Sequence, residues 1–189
     1  MISIRERGKI AVGLFILSET NFFLLLIIAF VYYHAYPGPG PTAATALNPM
    51  RTGMFSLALF SSSATIWMAS RAARRTDSRG LVMWLSITIA LGVLFMFGQA
   101  REYYDLLTSG VTVSRNLFAT TFFTLTGFHG LHVMIGLVAL CITLGLARAG
   151  KLHEHTTDGF GAVERYWHFV DVVWVVVFSV VYLWGAGAS

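Results

Sequence analysis

Two histidines three residues apart, His129 and His132, lie inside the apolar run TGFHGLHVMIG at 126–136. Imidazole nitrogens ligate metals and haem iron, and they also donate and accept hydrogen bonds between helices. His168 and Asp171 are again three apart within YWHFVDVVW, beside Trp167, and Glu19 stands alone in FILSETNFF. Glu, His and Asp are the ligand types of a metal centre, which needs several of them converging with a supporting outer layer. A haem needs axial histidines, and His129 and His132 are too close on one helix to take opposite faces of one ring. A second helix would have to share that task. The third use is a polar network between helices, each bond contributing about 0.6–2 kcal/mol. Spacing alone leaves all three open.

The elements that must position these groups are membrane helices. The chain has 189 residues, 56% of them hydrophobic and 12% charged, against about 25% charged in a soluble domain. Five nearly charge-free segments are each long enough to cross a hydrocarbon core: about 10–35, 52–70, 80–100, 117–147 and 163–185. The stretches between them, AYPGPGPTAATALNP, RAARRTDSR, REYYDLLTSGVTVSRN and RAGKLHEHTTDGFG, are rich in Pro, Gly, Asn and charge and read as connections. The segments are too long and continuous for barrel strands. The expected fold is an all-α integral membrane protein, one domain over 1–189, a bundle of five transmembrane helices.

Ten basic residues fall on one side of this arrangement: Arg5, Arg7, Lys9, Arg71, Arg74, Arg75, Arg79, Arg148, Lys151 and Arg165. Only Arg51, Arg101 and Arg115 fall on the other. The positive-inside rule then puts the N-terminus in the cytoplasm, or the matrix of an organelle, and the C-terminus outside. The net charge of +4 thus reports orientation and calls for no nucleic acid. The basic N-terminus superficially resembles a signal peptide, but its apolar run contains SETN and continues past Phe30, so it reads as a retained helix. The single cysteine, Cys141, excludes a disulfide framework and reads as a small buried hydrophobe.

Glu19 lies ten residues beyond Lys9, about 15 Å along the first helix and near the bilayer centre. A carboxyl there is expected to be protonated or paired with a donor on another helix. His129, His132 and Gly136 share one helical stripe at a similar depth, and Gly127 and Gly130 offer close approach to a neighbour. His168 and Asp171 sit toward the cytoplasmic end of the last span. The aromatic residues Trp167, Trp174, Tyr182 and Trp184 read partly as packing surface and partly as interfacial anchors. In the connection before the last span, His153 and His155 titrate near neutral pH and are candidates for collecting protons.

TFFTLTGFHGLHVMIG at 121–136, followed by YWHFVDVVWVVVFSVVYLWG at 166–185, resembles subunit III of the haem-copper cytochrome c oxidases. FILSETNFF, NPMRTGMFSLALFSSS and GQAREYY are similar to the family in the same order, so the resemblance covers nearly the whole chain. It implies a short five-helix form of an all-helical membrane subunit, without haem or copper of its own. Such a subunit packs beside oxidase subunits I and II, whose haem and copper reduce oxygen to water with proton pumping. The resemblance also implies bound phospholipid in a cleft, protection of the oxidase during turnover and sustained proton uptake. It carries these roles onto Glu19, whose family counterpart reacts with carbodiimides, and onto His129, His132, His168, Asp171 and Trp167. Gln99 and Glu102 match family positions at the outer membrane surface. None of these residues is implied as a redox, catalytic or metal ligand.

A bacterial plasma membrane is the implied location. The N-terminus has no histidine to act as a proton antenna. The connection DGFGAVER is polar where related chains carry a more apolar entry. The short form also occurs in quinol oxidases and in a protein associated with nitric oxide reductase, so the motifs leave the electron donor open.

Overall fold

The computed structural model describes residues 4–36, 40–151 and 154–185. Five long helices carry the fold: α1 (Ile4–His34), α3 (Pro49–Arg74), α4 (Ser78–Thr108), α5 (Leu117–Arg148) and α6 (Glu154–Phe178). A four-residue helix, α2 (Ala43–Ala46), interrupts the first connection, and α6 runs on into a π-helical turn, Ser179–Trp184. Among the described residues there is no strand. A helix satisfies its own backbone, which is why long apolar runs take this form where water is absent.

Short polar residues start the helices at the expected punctuation. Asn48, Asp77 and Asn116 cap α3, α4 and α5, accepting from the backbone N–H of Arg51, Gly80 and Ala119 at 3.1, 2.9 and 2.9 Å. Their ends share one device, a left-handed residue whose successor donates back to the helix. Thr76, Gly110 and Gly150 have φ of 54°, 81° and 66°, and Asp77, Val111 and Lys151 donate to Ala72, Leu106 and Leu146. Asn116 also donates to the Pro41 carbonyl at 2.8 Å, tying the first connection to the start of α5.

Four helices are long and apolar enough to cross a membrane, namely Ile10–His34, Ser78–Thr108, Leu117–Arg148 and Gly159–Trp184. The segment expected at 52–70 lies in α3, whose 26 residues would reach across but whose five serines lower its hydropathy. Two expected boundaries are corrected. REYYDLLT, read as connection, continues α4 to Thr108 because Glu102 and Leu106 are buried on its packed face. The last helix begins at Glu154, well before 163.

α3 and α4 form the most extensive pair. α5 packs on α4, α1 and α6, and α6 packs on α3, α5 and α1. Trp167 of α6 lies where four helices meet. Its ring enters a notch between Gly92 of α4 and Gly136 of α5, where a Cβ would stand 2.9 and 2.8 Å from it. Its indole N–H donates to Ser62 Oγ of α3 at 2.8 Å. At Gly127 and Gly130, expected to admit a neighbouring helix, an added Cβ would meet only ordinary contacts, Tyr103 at 3.5 Å and Met96 at 3.8 Å. α1 is the peripheral helix, with only 11% of its apolar window buried. Cys141 is also on the surface of α5, between exposed Val138 and Ile142, and not in the core.

Candidate functional site

The polar residues singled out above separate into distinct groups. Glu19 of α1 meets His132 of α5, with Oε2 3.0 Å from Nε2. The other ring nitrogen of His132 donates to the carbonyl of Phe128, one turn back, at 2.7 Å. Phe23 stands edge-on to the imidazole at 4.9 Å, and Tyr166 donates to the His132 carbonyl at 3.1 Å. Glu19 is therefore placed against a polar partner on another helix. Ser18, Thr20 and Asn21 are not part of this contact. They are exposed, and each bonds back to a carbonyl of α1, of Phe15, Ile16 and Leu17 respectively.

His129 shares the stripe with His132 but has a different environment. It is stacked on Trp174 at 4.8 Å and edge-on to Phe23 and Phe95 at 6.3 and 6.1 Å. Neither of its ring nitrogens has a partner.

His168 and Asp171 meet Ser63 of α3. The Ser63 hydroxyl donates to Asp171 Oδ2, which leaves His168 Nδ1 to donate to Ser63 Oγ, 3.1 Å away. Among the described residues no three His, Cys, Asp or Glu side chains converge to hold a metal ion. His153 and the side chain of His155 lie outside the described residues.

The α3–α6 seam is the part that sequence reasoning missed. Going down the two antiparallel helices, Ser56 Oγ accepts from Trp174 Nε1 at 2.8 Å and Ser62 from Trp167 at 2.8 Å. Ser63 meets His168 and Asp171, and Ser70 donates to Glu164 at 2.8 Å. Ser56, Ser63 and Ser70 are seven residues apart, so they share a helix face. That spacing is the signal which marks the seam in the sequence. It also explains why α3 combines low hydropathy with a place in the bundle: Ser56, Ser62, Ser63 and Ser70 face inward and are bonded.

The seam continues into a buried carboxyl. Glu102 of α4 accepts from Thr52 at 2.8 Å and from the Tyr182 phenol at 2.6 Å. Glu102 and Gln99, matched above to family positions at the outer membrane surface, are 3% and 6% exposed and face the interior of the bundle. Arg51 pairs with Asp105 at 2.5 Å at the mouth of this group. The π-helical turn serves the same contact. Its wider i→i+5 winding keeps Tyr182 on the packed side of α6, stacked on Phe178 at 5.3 Å. Trp167, Trp174 and Tyr182 are thus packing residues, while Trp184 is 46% exposed. Chemically, the arrangement provides bonded polar joints between helices and short hydrogen-bonded paths.

The family model "Cytochrome c oxidase subunit III" matches residues 2–186. The chain is 41% identical to cytochrome c oxidase subunit 3 of Synechocystis, covering 91% of this chain and 73% of that one. It is 35% identical to the probable subunit 3 of Mycobacterium leprae, over 95% and 90% of the two chains. With the subunit 3 of Sus scrofa the identity is 39%, over 97% and 72%. A match of this extent, across all the helices that build the polar seam, places the chain in the cytochrome c oxidase subunit III family.

Proposed function

We propose that the chain is the non-redox subunit III of a proton-pumping haem-copper terminal oxidase, the complex that reduces oxygen to water in aerobic respiration. The family match over residues 2–186 carries this reading. The haem and copper belong to the partner subunits I and II, and this chain stabilises the catalytic subunit. In this reading it is one multi-pass domain of a bacterial plasma membrane with five spans, α3 being the fifth. Inward-facing, bonded serines favour that place for α3, and the basic residues favour a cytoplasmic N-terminus.

Phospholipid binding and support of proton uptake complete the role. The broad apolar surface of α1, with Leu14, Leu17, Leu24, Leu25 and Ile28 exposed, suits acyl chains or a partner helix. Glu19 lies at its edge, joined to His132. His129, Trp167, His168 and Asp171 hold the helices that present this face, and His153 and His155 are proposed to collect protons in the connection before α6.

Extraction in mild detergent with a tag on this chain tests the assignment. Co-purification of a larger chain with haem-copper spectra is expected, and a monodisperse tagged protein without a haem-bearing partner would overturn it. The identity of the partners separates a cytochrome c oxidase from a quinol oxidase or a nitric oxide reductase. In the complex, Glu19→Gln is expected to leave assembly and initial turnover largely intact while reducing retained lipid or durability. Loss of oxygen reduction together with loss of a haem band would contradict a non-redox subunit.

A further inference from the structure

Four buried polar atoms in the middle of the bundle have no partner: both side-chain heteroatoms of Gln99 and both ring nitrogens of His129. Gln99 is 6% exposed and His129 1%. Withdrawing such groups from water without replacing their hydrogen bonds is costly.

The two residues are linked through a chain of ring contacts. His129 stacks on Trp174 and stands edge-on to Phe95. Phe95 is four residues from Gln99, on the same face of α4. Trp174 is 6.2 Å from Tyr182, and the Gln99 amide is turned toward the Tyr182 hydroxyl oxygen, outside ordinary hydrogen-bond geometry. The surrounding protein donors are already committed: the Trp174 indole N–H to Ser56, and the Tyr182 O–H to Glu102. The other rings against His129, those of Phe23 and Phe95, carry neither a hydrogen-bonding group nor a charge to hold an ion.

We propose that Gln99 and His129 form an internal water-binding site, with one or two waters bridging the amide to the imidazole. Water fits this pair chemically. A neutral imidazole has one donor and one acceptor, an amide has both, and a water can present either to each. Buried waters characteristically make about three such bonds to otherwise unsatisfied groups. The bridge extends the polar line that runs from Arg51 and Asp105 through Glu102 and Tyr182. It brings that line to His129, one helical turn from the Glu19–His132 pair on α5. The inference concerns the folded chain and does not rest on its being an oxidase subunit.

A double-mutant cycle on the full chain in lipid nanodiscs tests it, using Gln99→Leu, His129→Phe and the double variant. Each single change strands the water on one remaining partner, and is expected to lower the thermal midpoint by about 2–4 °C. The double variant is expected to fall no further than the worse single. Midpoints that are unchanged or raised, with additive effects, mean a dry pair and overturn the proposal. A second measurement covers variants that do not fold. In a water-edited solid-state NMR spectrum of the wild-type chain with 15N-labelled histidine, polarisation is expected to pass from water to the His129 ring. Absence of that transfer overturns the site.

Discussion

His132 is held at both ring nitrogens, by Oε2 of Glu19 at 3.0 Å and by the carbonyl of Phe128 at 2.7 Å. A carbonyl only accepts, so Nδ1 carries a hydrogen. One further proton then lies between Nε2 and the carboxyl. Whether it resides on the acid or on the imidazole, the pair is neutral as a whole, which suits a site facing hydrocarbon.

Glu19→Gln keeps a donor, the amide N–H, within reach of Nε2, whereas Glu19→Leu strands it. The leucine variant is expected to lose about 1–2 kcal/mol of stability and the glutamine variant clearly less. Thermal unfolding of the full chain in nanodiscs measures both. Equal losses would show that the pair does not join α1 to α5.

The notch that receives Trp167 makes one glycine irreplaceable and another dispensable. A Cβ at Gly136 would stand 2.8 Å from the indole, while one at Gly130 would meet only Met96 at 3.8 Å. Gly136→Ala is expected to cost about 1–3 kcal/mol through overpacking. Gly130→Ala is expected to be neutral or mildly stabilising, since alanine favours a helix by up to about 1 kcal/mol over glycine. Indistinguishable midpoints for the two variants would contradict the packing described.

Ser61, Ser62 and Ser63 are adjacent in sequence but not equivalent. Ser62 is buried and accepts the Trp167 N–H, and Ser61 is exposed. Ser62→Ala leaves a buried donor unpaired, with an expected loss of about 1–3 kcal/mol. Ser61→Ala is expected to change stability by less than about 0.5 kcal/mol. Chemical denaturation of the two variants side by side checks the contrast.

Tyr182→Phe removes one of the two side-chain donors to Glu102 while leaving the stacked ring in place. A loss of about 1–3 kcal/mol is expected, and Thr52→Val is expected to act in the same direction. The two losses should be non-additive, because both hydroxyls serve one carboxyl. Strict additivity would mean that the carboxyl does not couple them.

Much of the architecture was legible before any coordinates. The near charge-free runs marked the long helices, the Pro-, Gly-, Asn- and charge-rich stretches marked most of the connections, and the two C-terminal motifs carried the family resemblance. These are local properties, or patterns along one chain. The α3 helix shows where hydropathy alone says little: its serines lower its hydropathy, yet four of the five bond across to α6 inside the bundle. Tertiary bonding reverses what composition suggests there. The burial of Glu102 was missed for a related reason, since REYYDLLT has the charge of a loop until Thr52 and Tyr182 arrive from other helices.

What the amino-acid order settled, then, was that helices form, roughly where they begin, and which family they build, because each follows from the composition and periodicity of contiguous residues. Only the packed structure decided which polar side chains meet. His129 and His132 share a stripe and a spacing that treat them alike. Helix register puts Glu19 opposite His132 and an aromatic wall against His129, so one is paired within the protein and the other has no protein hydrogen-bond partner. The partner of a buried polar group lies on another helix, and its identity depends on crossing geometry and register that no single segment encodes.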